Sequence, residues 1–120
     1  MLILCVDDDH TALTVRRLLL SIAGYAVLTT SSVEAALDLF DVNRVDLVIT
    51  DHFLADGTGA ELTRLMRQLK PEVPLVLLTG LADLLPGYEH IDMVLCKGIT
   101  PENFLREIAK LLLSSGRNIA

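Results

Sequence analysis

Short apolar runs alternate with amphipathic stretches along the chain. The apolar runs contain β-branched residues and are too short for buried helices, so they predict strands covered on both faces, as in a parallel sheet. Five strands are expected, at residues 2–6, 25–30, 47–49, 75–78 and 93–96. The third lies in the stretch DLVITD and would occupy the middle of the sheet, whereas the more polar second strand would lie nearer an edge.

The first helix is predicted over residues 10–23, with Gly24 ending it. Apolar residues at helical spacing give it an inward face, which leaves Arg16 and Arg17 outside that face. The predicted inward residues are Ala12, Val15, Leu19 and Ile22.

Capping signals predict where three further helices begin. Ser31 with Glu34 and Thr58 with Glu61 fit capping boxes, and Thr100 followed by Pro101 fits the start of the last helix. The inward faces of these helices are predicted to be Val33, Ala36, Leu37 and Phe40, then Leu62, Leu65, Met66 and Leu69, and finally Phe104, Leu105, Ile108, Leu111 and Leu112.

Strands alternating with helical segments, without repeats or an internal linker, predict an α/β fold. We expect one domain over residues 1–120, built on a doubly wound five-stranded parallel sheet with helices on both faces and right-handed crossovers. The fourth helix is expected to be shortened to one or two turns, because Pro86 and Gly87 interrupt the segment. A flavodoxin-like strand order of 2-1-3-4-5 would place the first and third strands side by side at the topological switch point.

Chemically reactive side chains follow four of these strands at the edge where ligands bind in open α/β sheets. They are Asp7 and Asp8, Asp51, Thr79, and Lys97. Neighbouring carboxylates ~4 Å apart repel by about 4 kcal/mol at an effective dielectric near 20, so a cation should lie among them unless one is protonated. A small set of hard oxygen ligands favours Mg²⁺.

Asp51, at the end of the central strand, is the predicted nucleophile. Its attack on phosphorus would form an acyl phosphate. Lys97 would pair with a carboxylate at rest and with a phosphoryl oxygen afterwards, and the Thr79 hydroxyl could donate to the same oxygens. The added charge of about −1.5 to −2 would draw the hydroxyl and its loop towards it, which is a switch mechanism.

The composition of the chain indicates which kinds of binding partner and which cellular location to expect. The 120 residues are 52% hydrophobic and carry a formal charge of −6, which argues against direct nucleic-acid binding and favours a cation or a basic protein surface. Cys5 and Cys96 are expected to be buried, reduced thiols, so a cytoplasmic location is predicted. No run approaches the ~20 apolar residues of a membrane helix.

The stretches VDDDHTAL, VITDHFLADGTGAEL, LLTG and LCKG resemble, over essentially the whole chain, the four motifs of response-regulator receiver domains of two-component systems. The resemblance implies that Asp51 is the phosphoacceptor, Thr79 the switch hydroxyl and Lys97 the phosphate-binding lysine. It further implies Mg²⁺ ligands and a phosphoryl donor, which is a sensor histidine kinase or phosphotransfer protein. The implied ligands are Asp8 directly, Asp7 through water, Asp51, and the backbone carbonyl of Phe53. Such a domain is not a turnover enzyme and carries out only self-catalysed phosphotransfer and slow autodephosphorylation.

Four features depart from the family pattern. Val94 stands where an aromatic residue is usual, Gly98 where a cis proline is usual, Ala55 where a loop proline is usual, and the fourth helix is shortened. A cis bond costs ~3 to 4 kcal/mol without proline against ~0.5 to 1 kcal/mol with it, so the Lys97–Gly98 bond is predicted to be trans, with a shifted lysine loop. These departures concern signal output rather than the chemistry.

Apolar residues are concentrated around the predicted fourth helix and fifth strand. One interpretation is that half or more of them face the core, because the fifth strand needs a cover, and the other is that they form an exposed patch. Such a patch would serve a homodimer or a docking partner through the fourth helix, fifth strand and fifth helix face. The residues are Leu81, Leu84, Leu85, Tyr88, Ile91 and Met93.

Two alternative functions stay open at this point. The fold could serve as a non-phosphorylated interaction module, which Val94 and Gly98 favour. Alternatively, residues 7–11 spell D-x-D-x-T, which resembles the first motif of haloacid-dehalogenase-type phosphatases. That reading leaves Asp51 without a role and lacks a late acidic pair, since only Glu102 and Glu107 follow Lys97 and both lie in a predicted helix.

Overall fold

The computed structural model describes residues 1–80 and 86–115. Within these residues, five parallel strands form the main sheet and four helices pack on it. The strands of this sheet are β1 (Leu2–Val6), β2 (Ala26–Thr30), β3 (Leu47–Thr50), β6 (Leu75–Thr79) and β7 (Met93–Cys96). A small hairpin consists of β4 (Phe53–Leu54) and β5 (Gly57–Thr58). The helices are α1 (His10–Ile22), α2 (Val33–Val42), α3 (Gly59–Leu69) and α4 (Pro101–Ser114).

The strand order in the main sheet is β2-β1-β3-β6-β7. With the hairpin left out of the count, this is the predicted order 2-1-3-4-5, so the flavodoxin-like fold is confirmed. Strand β1 pairs with β2 on one side and with β3 on the other, and Val6 lies opposite Thr50. The register therefore brings Asp7 and Asp51, the next residue of each strand, to the same edge.

The core lies on both faces of the sheet, because alternate residues of a strand point to opposite sides. Ile3 and Cys5 pack with residues of α1 and α4, whereas Leu4 and Val6 pack with residues of α2 and α3. Each fully buried Leu, Ile or Phe side chain contributes about 1.5–3 kcal/mol to folding. This two-sided burial accounts for the near-continuous apolar character of the strands.

The predicted inward face of α1 is correct only in part: Leu19 packs against the core, but Val15 and Ile22 face outward. The buried residues are Leu13, Arg16 and Leu20, while Val15 is 53% exposed and Ile22 82% exposed. Arg16 is buried because its guanidinium reaches the Asp7 carboxylate. The predicted end of the helix is confirmed, since Gly24 has a φ of +98° and its N–H donates to the Ser21 carbonyl.

Helix caps agree with prediction except in α2. Thr58 and Thr100 are the N-caps of α3 and α4. The cap of α2 is Ser32 rather than Ser31, and it accepts from the Ala35 N–H. Asp56, from the turn of the hairpin, accepts from the N–H groups of Val33 and Glu34 and so supplies acceptors that the predicted capping box did not include. These two hydrogen bonds lower the pKa of Asp56.

The buried residues of the other helices largely match the predicted faces. Ala36 and Phe40 are buried in α2, and Leu62 and Met66 are buried in α3. A triplet of residues is buried in α4. That triplet is Phe104, Ile108 and Leu112. Leu69 was predicted to face inward but is 57% exposed.

Residues 81–85 lie outside the described part of the chain, and with them Leu81, Leu84 and Leu85 of the predicted patch and most of the predicted short fourth helix. The three described patch residues face inward: Tyr88 is buried, and Ile91 and Met93 pack against the two core clusters. The predicted exposed patch therefore finds no support in these three residues.

The two cysteines differ. Cys5 is buried, which raises its pKa to about 12. Cys96 is exposed, so the prediction that both thiols are buried is wrong for Cys96, which lies on the edge strand β7. In the described residues, no helix has the length and apolar character needed to cross a bilayer.

Candidate functional site

Three carboxylates converge at the ends of β1 and β3, as the topology predicted. One oxygen from each of Asp7, Asp8 and Asp51 lies within 4.8 Å of the other two. Asp7 is fully buried, Asp51 is 5% exposed and Asp8 is exposed. The group therefore has a buried floor and an open side.

Lys97, which follows β7, reaches this cluster, and Thr79 lies beside Lys97 at the end of β6. The Lys97 ammonium donates to Asp51 Oδ2 at 3.0 Å and lies 3.6 Å from Asp7 Oδ2. Thr79 ends β6 in a buried position, and its carbonyl accepts from the Lys97 N–H at 2.9 Å. Three strand ends therefore bring acids and an amine together. The Thr79 main chain is bonded to Lys97, and the role of its hydroxyl remains a prediction.

Arg16 is part of the site although the sequence pattern placed it outward. Both terminal guanidinium nitrogens donate to Asp7 Oδ2, at 3.3 and 3.4 Å. Its spacing from Leu13 and Leu20, three and four residues, was a signal for an inward position that the chosen helical face overlooked. Arg16 thus compensates the charge of a carboxylate that has no contact with solvent.

The pKa shifts reflect burial among like charges. Burial raises the pKa of Asp51 above its usual 3.8, and the Asp7 carboxylate adds to this, while hydrogen bonds from Lys97 and the His52 N–H oppose it. Burial alone would lower the pKa of Lys97, but the carboxylates of Asp51 and Asp7 raise it above 10.5 overall. Lys97 is therefore charged at neutral pH, and the charged form of Asp51 is favoured by any further cation nearby.

The acidic cluster fits a hard divalent cation. Its donors are carboxylate oxygens, they are few, and one of the three residues is open to solvent. Mg²⁺ accepts one or two protein carboxylates while keeping several waters, so the donor set agrees with this ion. The carbonyl of Phe53, two residues beyond Asp51, remains a predicted ligand.

The start of α3 packs directly on the backbone of Asp51. A Cβ on Gly59 would overlap the Asp51 carbonyl oxygen and would lie 2.8 Å from the Tyr88 hydroxyl. Only glycine leaves room for this approach. The requirement is one of space and not of backbone conformation, because the φ of Gly59 is not positive. Gly59 thus lets the helix, the loop after β3 and Tyr88 meet beside the phosphoacceptor candidate.

Two further residues beside the site, His52 and Tyr88, were missed by sequence reasoning. His52 Nδ1 lies 2.7 Å from the buried Tyr88 hydroxyl. The His52 backbone N–H also donates to Asp51 Oδ1 at 2.7 Å. No spacing rule links positions 52 and 88, so the sequence carries no local signal for this pair.

The departures at positions 94 and 98 are visible in the structure. Val94 is 45% exposed on β7. The Lys97–Gly98 bond is trans, as predicted. The structure does not favour the phosphatase interpretation. Asp7, the first aspartate of the D-x-D-x-T stretch, would be the nucleophile, but it is fully buried and paired with Arg16 and Lys97.

The fold is a doubly wound parallel sheet that carries an acidic cluster and a lysine at the carboxyl ends of its strands. The family model of the response regulator receiver domain matches residues 3–108. The chain belongs to this family, the receiver domains of two-component response regulators.

Relatives and solved structures agree with this assignment. The two-component response regulator ARR10 of Arabidopsis thaliana is 35% identical over 95 residues, which are 75% of this chain and 17% of that protein. The alkaline phosphatase synthesis transcriptional regulatory protein PhoP of Bacillus subtilis is 35% identical over 78 residues, 65% of this chain and 32% of that protein. The chain thus spans less than half the length of either relative.

Among solved structures, a CheY-like receiver domain protein of Methanospirillum hungatei aligns with a TM-score of 0.90 at 25% identity, covering 98% of both chains. The response regulator TrrA of Thermotoga maritima, solved in complex with Mg²⁺ and beryllium fluoride, aligns with a TM-score of 0.85 at 28% identity, covering 92% of this chain and 98% of that one.

Proposed function

We propose that this chain is a phosphoacceptor domain that receives a phosphoryl group on Asp51 from a sensor histidine kinase or phosphotransfer protein, in an Mg²⁺-dependent reaction. The observation that carries the proposal is the position of Asp51, with two carboxylates within 4.8 Å and the Lys97 ammonium at 3.0 Å. We assign residues 1–120 to this one domain, and we propose that phosphorylation switches a surface that binds another protein.

The chain's own residues have distinct parts in the reaction. A carboxylate oxygen of Asp51 forms the new bond to phosphorus while the bond from phosphorus to the donor breaks, and the electron pair of that bond leaves with the donor. Lys97 pairs with the phosphoryl oxygens, and Thr79 donates its hydroxyl to them once the group is in place. Positioning and charge compensation therefore account for the catalysis.

Asp7, Asp8, Asp51 and the Phe53 carbonyl are the proposed metal ligands. Mg²⁺ bound there would neutralise charge on the phosphoryl oxygens. The structure of TrrA supports this assignment, because that related protein was solved in complex with Mg²⁺ and beryllium fluoride. The product is a signalling state that decays slowly by hydrolysis at the same site, so no turnover of a free substrate is expected.

Intact mass spectrometry after incubation with acetyl phosphate tests the proposal. With Mg²⁺ we expect one added phosphate per chain, and none in Asp51→Asn or after chelation. Asp41→Asn, which changes an exposed aspartate of α2, is the matched control and should retain the adduct. An adduct that survives chelation contradicts the ligand assignment, and no adduct from any donor favours a non-phosphorylated interaction module.

A homodimer through the predicted fourth helix, the fifth strand of the main sheet (β7) and the face of the last helix (α4, the predicted fifth helix) remains a prediction. Light scattering with and without the phosphoryl mimic tests it. A mass of one protomer under both conditions would contradict dimerisation.

A further inference from the structure

Tyr88 is a buried tyrosine in a segment without helix or strand. Its side chain is 2% exposed, and its hydroxyl lies 2.7 Å from His52 Nδ1. The two rings meet edge to face, with centroids 5.7 Å apart and planes at 64°. Burial and the Asp51 carboxylate raise the pKa of Tyr88 to about 12, so the hydroxyl keeps its proton at neutral pH.

The hydroxyl of Tyr88 lies beside the main chain of Asp51. It and the Asp51 carbonyl oxygen both border the point that a Cβ of Gly59 would occupy. The His52 backbone N–H donates to Asp51 Oδ1, so two hydrogen bonds lead from Tyr88 through His52 to the carboxylate.

The rest of the segment 86–92 is attached to α3. His90 Nε2 lies 2.7 Å from the Thr63 hydroxyl, which itself donates to the Gly59 carbonyl. Arg67 donates to the His90 carbonyl at 2.9 Å and to the Asp92 carboxylate. The segment is therefore held at its far end by α3, and Tyr88 is its contact with the loop after β3.

At position 94, where the receiver family usually has an aromatic residue, this chain has a half-exposed valine with no hydroxyl or ring to contact the site. Tyr88 brings a different aromatic side chain close to the Asp51 main chain. Tyr88 belongs to the segment before β7, whereas Val94 lies on β7 itself.

We propose that Tyr88 is a positioning residue that transmits the state of Asp51, through His52, to the segment 86–92. The proposal rests on the phosphoacceptor function proposed above. A phosphoryl group places about −1.5 to −2 charges on a carboxylate that the His52 N–H contacts directly, so the loop that carries His52 must adjust. A buried hydroxyl without a partner is costly, so Tyr88 must follow His52 or find another partner.

Amide NMR spectra of the ¹⁵N-labelled chain test this, recorded with Mg²⁺ alone and with Mg²⁺ and beryllium fluoride. The variants are Tyr88→Phe, which removes only the hydroxyl, and His52→Leu, which removes the other end of the same hydrogen bond. Tyr25→Phe is the matched control, because it makes the same chemical change at a half-buried tyrosine that packs against the core. Amides at the ends of β1 and β3 report binding, and amides of residues 87–92 report transmission.

In the wild type and in Tyr25→Phe we expect beryllium fluoride to shift both sets of amides. In Tyr88→Phe and His52→Leu the binding set should still shift, whereas the shifts at residues 87–92 should fall about twofold or more, as expected when a coupling contact is lost. A purely structural role would change stability without separating the two sets.

Shifts at residues 87–92 that match the wild type in Tyr88→Phe would overturn the inference, as would a wild type in which only the binding set responds. If Tyr88→Phe does not give a folded spectrum, His52→Leu decides between the same two outcomes. Absence of any beryllium fluoride response in the wild type is a different result, since it removes the phosphoacceptor proposal and this inference with it.

Discussion

Asp7 is a carboxylate without solvent contact, and its charge is compensated by protein groups. Arg16 lies 3.3 Å from Asp7 Oδ2, and its own side chain is 8% exposed. Removing one member of a buried ion pair is strongly destabilising, because the remaining charge has lost its hydration and its partner.

Replacing Arg16 by methionine should therefore lower the free energy of unfolding by about 3 kcal/mol. Urea denaturation measures the change. Arg17→Met, at the exposed neighbouring position, should stay within about 0.5 kcal/mol of the wild type. Equal effects of the two substitutions would show that Arg16 acts through helix propensity and not through Asp7.

His90 predicts a pH dependence of stability. Burial lowers its pKa below the usual 6.5, and Arg67 contributes in the same direction. The unfolded chain then binds more protons than the folded chain between the lowered pKa and 6.5, so stability should rise with pH across that window and be complete above 6.5. Urea titrations from about pH 5 to pH 7 should show a shallower rise in His90→Gln. His10→Gln, at an exposed histidine, should keep the wild-type slope, and an unchanged slope in His90→Gln would refute the assignment.

At the scale of elements, α3 depends on Gly59 at its first turn. A methyl group there would overlap the Asp51 carbonyl oxygen and crowd the Tyr88 hydroxyl. Overpacking of this kind typically costs 1–3 kcal/mol. The approach of helix to loop thus places a strict size limit on one residue.

Gly59→Ala should destabilise the chain by about 2 kcal/mol and reduce the amount of phosphate adduct on Asp51. Thermal denaturation and intact mass give the two readouts. Gly98→Ala is the control, because its Cβ would meet no atom closer than 3.8 Å. Wild-type stability in Gly59→Ala would mean that α3 can move away from Asp51 at little cost.

The strands and most caps could be predicted because they depend on neighbouring residues. Buried runs such as Leu47–Thr50 and caps such as Thr58 and Thr100 carry their signal within a few positions. The inward face of α1 could not be predicted in this way, because apolar residues occupy several sides of that helix. Which side faces inward is decided partly by Asp7, which draws Arg16 towards the sheet.

The residues of the candidate site also fall into a group that could be predicted from the sequence and a group that could not. The acids and Lys97 could be predicted, because parallel topology brings strand ends together whatever the loops do. The contact between His52 and Tyr88 could not, since it depends on the path of residues 86–92, which have neither helical nor strand periodicity.

For the whole molecule, metal binding should appear as added stability. A ligand that binds only the folded state at about 100 times its dissociation constant contributes about 2.7 kcal/mol. The acidic cluster forms only when β1 and β3 pair, so the unfolded chain offers no equivalent site.

Increasing Mg²⁺ should therefore raise the thermal midpoint of the wild type, and chelator should reverse the rise. Asp8→Asn should abolish this response. Asp9→Asn is the matched control, because Asp9 caps α1 and lies outside the cluster, so its variant should respond to Mg²⁺ even if its starting midpoint is lower. A response that persists in Asp8→Asn would place the ion elsewhere.

The two cations near Asp7 differ in their exposure and in the number of acids that they contact. The Arg16 side chain is 8% exposed, whereas the Lys97 side chain is 36% exposed and shared between two acids. Under the proposed function, Arg16 would remain the counterion of Asp7 while Lys97 exchanged one anionic partner for another. A domain built this way can cycle between its resting and modified forms without leaving an interior anion uncompensated at any stage.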